Sequence, residues 1–427
     1  MKVFFHTLGC KVNQYETEVM RRALINSGST QADSVESADI IVVNSCTVTA
    51  ESDRKTRQLV RRYRRLSQDA VIVLTGCMPQ AFPKEAEDLP ADIILGNGSS
   101  RDIMSAIDRF FTTGERVVII PPHQKGEKFE KCSLDNFIER TRAYMKIEDG
   151  CDRGCTYCII PKARGRVRSR SLEDIEAEAR RLGENGFLEL VLVGINLSSF
   201  GIDTGHTLAD AVEAVAKVPQ IKRIRLGSLE PDLTDTALLD RLKRVEKFCP
   251  QFHLSLQSGC DETLKRMNRL YNTDQYRKLV EDIRSRWENS SITTDIMVGF
   301  IGESEEEFQS SLAFAKEIGF LKAHIFPYSI RKGTAAATMP CRVEGGVKTT
   351  RAEIMAKECN AVSLALMKKM CGQTCSVLFE TGEDEYIVGY SENYTPVYVK
   401  ADISLLHNIK KVRLIHPFKD GIVGEIV

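Results

Sequence analysis

The sequence predicts an α/β protein in three parts: a doubly wound α/β domain, a full or partial (β/α)6 barrel, and a small C-terminal β-barrel. Three observations support this prediction. Apolar runs alternate with helical stretches over residues 1–125. The same alternation returns with a longer period over residues 140–371. Residues 372–427 instead hold short strands separated by Gly, Asp, Asn and Pro turns.

The first domain is predicted from four apolar runs. Ala38–Asn44 is continuously apolar, as expected for a strand buried on both faces of a parallel sheet. Helical stretches such as Tyr15–Asn26 fill the intervals, which favours a doubly wound sheet. The four predicted strands are Lys2–Leu8, Ala38–Asn44, Val71–Thr75 and Ala91–Leu95.

The second part follows a predicted linker at residues 121–140, where prolines, Gly126 and several charges mark a domain boundary. Its best-marked helix begins with the capping box Ser171-x-x-Asp174. About six right-handed βα units favour a barrel of parallel strands, with its site at their carboxyl ends. A helix over Thr350–Met370 ends this part. The predicted strands are Arg142–Ile147, Phe187–Val193, Ile221–Leu226, Gln251–Leu256, Thr293–Val298 and Lys322–Phe326.

The last part has the pattern of a small antiparallel β-barrel, because its strands are short and evenly interrupted by turns. The predicted strands are Ser376–Phe379, Glu385–Tyr390, Val397–Lys400, Lys410–Leu414 and Ile422–Val427.

The amino-acid composition excludes several classes of protein. The 427 residues are 42% hydrophobic and 28% charged, which excludes disorder as the main state. Lys+Arg and Asp+Glu both number 59, so any nucleic-acid site must be a local patch. Neither a signal peptide nor a run of about 18 apolar residues is present, and we expect no membrane partner. With 13 cysteines, the expected compartment is the reducing cytoplasm, where clustered cysteines bind metals or catalyse.

Three cysteines lie close together just past the first barrel strand, in the pattern Cys151-x3-Cys155-x2-Cys158. Three thiolates on a Gly-containing loop can bind one iron–sulfur cluster and leave one iron with an open coordination position. A zinc knuckle is an alternative, but it needs a fourth ligand, and the nearest histidine, His123, lies across the linker. Accidental clustering is the other alternative. We call these three residues the loop cysteines.

A second group, Cys10, Cys46 and Cys77, follows three separate predicted strands of the first domain. The carboxyl ends of parallel strands meet at one edge, where open α/β sheets build their sites. We therefore predict a second cluster on this N-terminal triad, against the alternative that each cysteine is a small buried hydrophobe. His6 and the pair Cys371-x3-Cys375 are interpreted as structural. The other cysteines without such order are Cys132, Cys249, Cys260, Cys341 and Cys359.

Two basic runs are candidate phosphate-binding surfaces. Residues 54–65 contain seven basic residues and no acid. Residues 162–170 carry a basic residue at every second position, so an extended chain would point all five the same way. The alternative for either run is a solvated face. The predicted RNA contacts are Arg57, Arg61, Arg164, Arg166 and Arg168, with additional candidates in the C-terminal barrel at Lys400, Lys410, Lys411, Arg413, Tyr394, Tyr398 and Phe418.

The Cys-x3-Cys-x2-Cys loop after the first strand of a βα barrel resembles the radical S-adenosylmethionine superfamily, and Tyr157 also matches that loop. In that family the open iron chelates the methionine moiety, and an electron from the cluster cleaves the sulfonium to a 5′-deoxyadenosyl radical. The segment Asp295–Glu303 resembles the one that holds the adenine, although Ile301 stands where most relatives have Pro. The strand ends then supply the expected cofactor-binding residues, which are Tyr157, Gly194, Asn196, Ser228, Glu230, Gln257, Ser258 and Val298.

Over essentially its whole length the chain resembles the methylthiotransferase family, with a terminal barrel similar to the RNA-binding TRAM domain. The segments Thr7–Glu18, Asn44–Val48 and Thr75–Pro79 are closest to the branch that modifies threonylcarbamoyladenosine in tRNA. The branch assignment depends mostly on Lys11-Val12.

This resemblance implies two [4Fe-4S] clusters and two S-adenosylmethionine molecules per turnover. The cluster on the loop cysteines would cleave one, and the cluster on the N-terminal triad would carry the sulfur that the second methylates. The product would be a methylthio group on carbon 2 of the adenine at position 37. The expected partners are a tRNA anticodon stem-loop, a low-potential electron donor and a sulfur donor, for a monomeric enzyme.

Three alternatives stay open from the sequence. Two are related methylthiotransferases, acting on isopentenyladenosine in tRNA or on an aspartate of a ribosomal protein. The third, of another class, is a non-catalytic iron–sulfur RNA-binding protein that senses redox state or iron.

Overall fold

A computed structural model describes residues 1–130, 134 and 141–427, so Cys132 and much of the predicted linker lie outside the described residues. It confirms the α/β class, with parallel sheets followed by a closed five-stranded barrel. None of the helices in the described residues is both long enough and apolar enough to cross a membrane.

The N-terminal domain is a six-stranded parallel sheet with helices on both faces. Its strands are β1 (Lys2–Thr7), β2 (Thr30–Gln31), β3 (Ile40–Ser45), β4 (Val71–Gly76), β5 (Ile93–Leu95) and β6 (Val117–Ile119), in the order β2-β1-β3-β4-β5-β6. Its helices are α1 (Lys11–Asn26), α2 (Ala50–Leu66), α3 (Cys77–Ala81), α4 (Pro83–Glu87) and α5 (Ile103–Thr113).

Successive residues of the central strands pack into separate cores on the two faces of this sheet. On β3, Ile41 and Val43 pack with Val60 and Tyr63 of α2, whereas Ile40 and Val42 belong to the core under α1 and α5. This two-residue alternation explains why the runs are apolar throughout. The short edge strands β2 and β6 were not predicted, since β2 has only two residues and the apolar residues of β6 were not interpreted as a strand.

The middle part is an open barrel of parallel strands. Its strands are β7 (Arg142–Lys146), β8 (Glu148–Asp149), β9 (Arg168–Ser169), β10 (Glu189–Val193), β11 (Arg223–Leu226), β12 (Ser228–Leu229), β13 (Gln251–Leu254), β14 (Ser291–Val298) and β15 (Lys322–Pro327). The main sheets run β7-β10-β11 and β12-β13-β14-β15, with β11 and β12 separated by Gly227, and β8 and β9 form a small antiparallel ribbon. Six strand positions result, with β7 and β15 at the two edges.

Helices alternate with these strands as expected. They are α6 (Ile160–Arg164), α7 (Leu172–Glu184), α8 (Leu208–Ala216), α9 (Thr236–Arg244), α10 (Asp261–Arg266), α11 (Thr273–Arg286), α12 (Glu305–Ile318) and α13 (Gly345–Met370). Ser171 caps α7 as predicted, because its hydroxyl accepts a hydrogen bond from the Asp174 N–H at 3.2 Å.

Residues 162–170 do not form one extended segment, so their five basic side chains do not all point the same way. Residues 160–164 form α6, and the chain reverses at Gly165, whose φ is +70°. The side chains of Arg164, Arg168 and Arg170 are buried in ion pairs, for example between Arg170 and Glu178 at 2.6 Å. Lys162 and Arg166 are the exposed basic residues of this segment.

The C-terminal part is a closed barrel of β16 (Thr374–Glu383), β17 (Tyr386–Ser391), β18 (Pro396–Val399), β19 (Ile409–Phe418) and β20 (Gly421–Ile426), in the order β16-β17-β18-β20-β19. Its core includes Val377, Phe379 and Val412, and Met367 of α13 packs against it. One feature differs from the predicted antiparallel barrel, since β18 and β20 pair in parallel.

Buried arginines fasten the C-terminal barrel to the middle part. Arg225 pairs with the buried carboxylate of Glu189 at 2.7 Å and donates to the Ser391 carbonyl at 2.6 Å. Arg223, 3.5 Å from the same carboxylate, donates to the Tyr390 carbonyl at 2.9 Å. These two arginines thus hold the C-terminal barrel through its backbone.

Candidate active site

The loop cysteines follow β8 on a backbone that hydrogen bonds fix in place. The Cys151 N–H donates to the Gly165 carbonyl at 3.0 Å, and the Thr156 N–H donates to the Met267 carbonyl at 3.1 Å. Gly150 has a φ of +88°, and a Cβ there would lie 1.9 Å from the Arg166 carbonyl oxygen, so this turn requires glycine.

Polar groups already surround these thiols. Arg269 donates to the Cys155 sulfur at 3.3 Å, and the Asn196 amide donates to the Cys151 sulfur at 3.7 Å. Burial raises the pKa of Cys151 to about 11 and that of Cys158 to about 12. The free thiols of these two residues are therefore neutral near pH 7, and each must release a proton when it binds iron.

Three buried oxygens beside the loop have no hydrogen-bond partner among the described residues: Asn196 Oδ1, Gln257 Oε1 and Glu148 Oε1. Buried polar atoms in native proteins are nearly always paired, so these acceptors mark a place for a ligand that brings N–H or O–H groups. Gln257 also has a φ of 62°, a strained conformation typical of functional sites. The amino group, ribose hydroxyls and adenine amine of S-adenosylmethionine are donors of the kind that this site fits.

Gly194 and Asn196 lie where the sequence predicted, at the end of β10. A Cβ on Gly194 would lie 2.5 Å from Glu148 Oε2, and that oxygen accepts a hydrogen bond from the Asn196 N–H at 2.8 Å. Burial raises the pKa of Glu148 well above its usual range. Sequence reasoning missed Glu148, since a lone acidic residue before the cysteine motif carries no distinguishing signal.

Glu230 forms an ion pair with Arg269, the residue that contacts the Cys155 sulfur. Arg269 also lies over the ring of Tyr271, at 5.0 Å from its centroid. The sequence did not indicate Arg269, because it lies in a turn after α10, distant from every motif. Arg269 therefore connects Glu230, a predicted cofactor-binding residue, to the loop cysteine Cys155.

The remaining predicted cofactor residues have different surroundings. Ser258 is buried, and its hydroxyl accepts a hydrogen bond from the Cys260 N–H at 3.3 Å. The Val298 side chain lies in the barrel core. The Tyr157 ring contacts that of Phe300 edge-on at 6.2 Å between centroids, whereas Ser228 is exposed. Their contact with the cofactor stays a prediction.

The N-terminal triad converges at the carboxyl edge of the first sheet. Cys10 precedes α1, Cys46 follows β3 and Cys77 begins α3. Gly9 has a φ of +111° and brings the turn after β1 close to the turn after β3. A Cβ on Gly9 would lie 3.2 Å from the Cys46 sulfur. Asn13 links the group, since its Oδ1 lies 3.5 Å from the Cys10 sulfur and 4.0 Å from that of Cys77.

Arg164 joins this triad to the middle part of the chain. Its side chain is 0% exposed, and its Nε donates to the Cys77 sulfur at 3.2 Å. Its Nη2 donates to Asn13 Oδ1 at 2.8 Å, and it forms a bidentate pair with Glu16. Burial raises the pKa of Cys77 to about 12 although the Arg164 charge acts in the opposite direction. Arg164 was predicted to contact RNA, but its hydrogen bonds are all internal to these two domains.

Arg168, another predicted RNA contact, also has internal partners, because it lies 3.4 Å from Asp149 and 3.3 Å from Glu127. Arg166 is exposed, with Asp152 at 3.9 Å. On α2, Arg57 lies 3.8 Å from Glu85, whereas no carboxylate of the described residues pairs with the exposed Arg61. The α2 surface therefore keeps the free basic charge that the sequence predicted.

The two cysteine groups are neighbours. Cys77 belongs to the same buried apolar cluster as Ile159, the residue after Cys158, and as Ala163 of α6. Among the described residues, no three His, Cys, Asp or Glu side chains converge tightly enough to hold a single metal ion. A cluster makes a different demand, since each thiolate binds its own iron.

A cavity of about 680 Å³ opens beside Cys10 of the N-terminal triad. Cys10 and Lys11 line it from the first domain, and Gly194 and Ser228 line it from the strand ends of the open barrel. Tyr394 is among the residues that line it from the C-terminal barrel. All three parts of the chain thus contribute to the wall of one cavity.

Two regions of the chain match known families. Residues 2–96 match the Uncharacterized protein family UPF0004, and residues 145–315 match the Radical SAM superfamily. These regions contain the N-terminal triad and the loop cysteines, respectively.

Similar proteins extend over the whole chain. The "Threonylcarbamoyladenosine tRNA methylthiotransferase MtaB" of Bacillus subtilis is 35% identical over 100% of this chain and 97% of its own. The protein of that name from Thermotoga maritima is 38% identical, with 90% of each chain covered. The "tRNA-2-methylthio-N(6)-dimethylallyladenosine synthase" of Pelotomaculum thermopropionicum is 35% identical over 95% of this chain and 93% of its own.

Among solved structures, the radical S-adenosylmethionine methyltransferase TsrM of Kitasatospora setae is similar in fold. It superposes with a TM-score of 0.59 at 15% identity, covering 79% of this chain and 77% of that one. The full-length relatives establish what the sequence motifs predicted: this chain is an enzyme of the methylthiotransferase family of radical S-adenosylmethionine proteins.

Proposed function

We propose that this enzyme adds a methylthio group to carbon 2 of N6-threonylcarbamoyladenosine at position 37 of tRNA, using two [4Fe-4S] clusters and two S-adenosylmethionine molecules per turnover. The reaction is proposed to take place in the cytoplasm, with a low-potential electron donor and a sulfur donor. Two relatives whose names specify threonylcarbamoyladenosine, at 35% and 38% identity, support this substrate.

One observation carries the proposal. The cavity is bounded on one side by Cys10 of the N-terminal triad and on another by the barrel strand ends at Gly194 and Ser228. A base in this cavity would contact Cys10 directly and would lie against Gly194, two residues before Asn196, whose amide donates to the Cys151 sulfur. Methylthiolation needs such a site, because one carbon must first lose hydrogen and then receive sulfur.

Each group of cysteines has its own role in this proposal. The loop cysteines would hold the cluster that binds S-adenosylmethionine, and the N-terminal triad would hold the cluster that supplies sulfur. When bound, these groups supply radical chemistry that polar side chains cannot, because an aromatic C–H bond offers acid–base catalysis no usable proton.

The chain's own residues prepare this site. Asn196 and Gln257 present unpaired oxygens for the donors of S-adenosylmethionine. Arg269 donates a hydrogen bond to the Cys155 sulfur, and Arg164 donates one to the Cys77 sulfur. Hydrogen bonds to cluster sulfurs tune reduction potential, so these arginines are placed to favour the reduced, more negative state of either cluster.

The RNA would approach over the exposed basic surface of α2. Arg61, Arg62 and Arg65 are exposed there, and no carboxylate within the described part of the chain pairs with them. Lys411 and Arg413 of β19 add exposed charge on the C-terminal barrel, where the Arg413 charge is shared with Glu425. Contacts with phosphates at these positions would supply affinity without reading sequence.

The test uses anticodon stem-loop RNAs that carry either threonylcarbamoyl- or isopentenyl-adenosine at position 37. Reconstituted enzyme, S-adenosylmethionine and a reductant are incubated with both RNAs in competition, and nucleosides are measured by mass spectrometry. We expect the methylthio mass on the threonylcarbamoyl nucleoside. Preference for the isopentenyl RNA would contradict the proposed substrate, and methylthiolation of neither RNA would contradict tRNA as the substrate.

A further inference from the structure

Lys11 stands out among the cations of the cavity wall. It is the first residue of α1, directly after Cys10, and its exposed side chain lines the cavity. Its nitrogen lies 5.9 Å from the centroid of the Tyr144 ring. No carboxylate in residues 1–130, 134 and 141–427 forms an ion pair with it.

The neighbouring cations are not available in this way. Arg164 is saturated by Glu16, Asn13 and Cys77, and Arg225 is held by Glu189. Arg166 lies outside the cavity, near Asp152. Lys11, directly after Cys10, is therefore a cation beside the N-terminal triad that forms no ion pair with a carboxylate of the described residues.

The chemistry of the proposed substrate supplies a matching group. In adenine, carbon 2 and the carbon that bears N6 both flank ring nitrogen N1. When carbon 2 faces the triad, a substituent on N6 extends along the same side of the cavity. Threonylcarbamoyl ends in a carboxylate, whereas isopentenyl is an uncharged hydrocarbon. A lysine beside Cys10 can form an ion pair with the threonylcarbamoyl carboxylate, whereas the isopentenyl group offers it no charged partner.

We propose that Lys11 is the residue that determines specificity, by forming an ion pair with the carboxylate of the threonylcarbamoyl group. This inference rests on the proposed function and adds the residue that distinguishes the two tRNA substrates. A charge-assisted hydrogen bond in a protein-lined cavity is worth about 1.5–3 kcal/mol, which corresponds to roughly 10- to 150-fold in affinity.

The test measures binding as well as turnover. Two stem-loop RNAs are compared, one with the natural carboxylate and one in which a carboxamide replaces it. By fluorescence anisotropy, the full-length wild-type protein should bind the carboxylate RNA at least 10-fold more tightly. Lys11→Met should bind both RNAs equally, and Lys11→Arg should restore part of the preference. Because each result is a ratio measured on one preparation, differences in iron content affect both RNAs alike.

Lys217→Met is the matched control. Its side chain is 68% exposed on the outer surface, so its removal takes away the same charge without changing the preference. Lys322 also lines the cavity, from the start of β15, and is the competing assignment. A preference retained in Lys11→Met, or lost only in Lys322→Met, would overturn the inference. If the wild type instead prefers isopentenyl RNA in turnover, the proposed substrate itself is wrong.

Discussion

Replacing Arg164 by Met tests how strongly one buried side chain joins the first domain to the barrel. Methionine keeps much of the apolar stem but removes every N–H group. The change breaks the bidentate pair with Glu16 and the hydrogen bonds to Asn13 and the Cys77 sulfur. Lys146 then remains to neutralise Glu16, at 2.7 Å, while also pairing with Asp149 at 2.6 Å.

The expected loss of stability depends on the ion pairs that remain in the variant. Removing one partner of a buried ion pair costs about 3–5 kcal/mol. Lys146 and Arg168 still face the two carboxylates, so we expect the lower end, about 3 kcal/mol. At 1.4 kcal/mol per factor of ten, local opening of α1 becomes roughly 100-fold more frequent.

Hydrogen–deuterium exchange of α1 peptides measures this opening directly. Arg166→Met is the control, because Arg166 is exposed and its pair with Asp152, at 3.9 Å, is worth at most about 1 kcal/mol. We expect roughly 100-fold faster exchange in Arg164→Met and less than about fivefold in the control. Equal exchange in the two variants would refute the view that Arg164 holds the domains together.

Three further predictions concern the clusters, the RNA and the C-terminal barrel. Reconstituted enzyme should hold about eight irons in two four-iron clusters. Alanine at all three loop cysteines should leave about four irons and abolish deoxyadenosine formation. Alanine at the N-terminal triad should leave the cleavage of S-adenosylmethionine intact and eliminate methylthiolated RNA. Retained cleavage in the first variant, or lost cleavage in the second, would show that the clusters do not divide the work in this way. Affinity for the stem-loop, measured by anisotropy, should fall steeply with salt. Deletion from Gly372 onward should weaken RNA binding far more than cofactor cleavage, which a deoxyadenosine assay measures. A salt-independent affinity would contradict the phosphate contacts. Burial alone would raise the pKa of Glu189, but Arg225 and Arg142 lower it overall, so the stability that the ionised carboxylate contributes is present above about pH 4.3 and is lost as the pH falls through the depressed pKa. Protease resistance of the C-terminal barrel should therefore decline in acid, and already at pH 7 in Glu189→Gln. Unchanged resistance in that variant would contradict the role of Glu189.

The sequence predicted most of what depends on pattern. Strands such as β3 and β4 are apolar on both faces, so their position and the parallel sheet follow from composition alone. Their ends in turn predicted that Cys10, Cys46 and Cys77 share one edge, as they do. The six-position barrel followed from the same reasoning applied to a longer period.

What the sequence could not predict depends on contacts between distant residues. The alternating arginines of residues 162–170 match an extended strand, but α6 and the turn at Gly165 bury Arg164 against Glu16, about 150 positions away, a contact that no local pattern contains. Arg269 reaches Cys155 in the same way from a turn after α10. The parallel pairing of β18 with β20 depends on barrel closure, which strand spacing does not reveal.

The attachment of the C-terminal barrel has a consequence for exchange between related enzymes. Arg223 and Arg225 bind carbonyl oxygens of residues 390 and 391, and these acceptors are present whatever side chains the barrel carries. Substitutions on the outer face of this barrel can therefore accumulate without altering the joint. A chimaera that receives the terminal barrel of a relative should dock in the native orientation, provided that its β17 keeps the same backbone path and its β16 keeps a carboxylate for Arg142. The choice between modified bases should stay with Lys11 of the recipient.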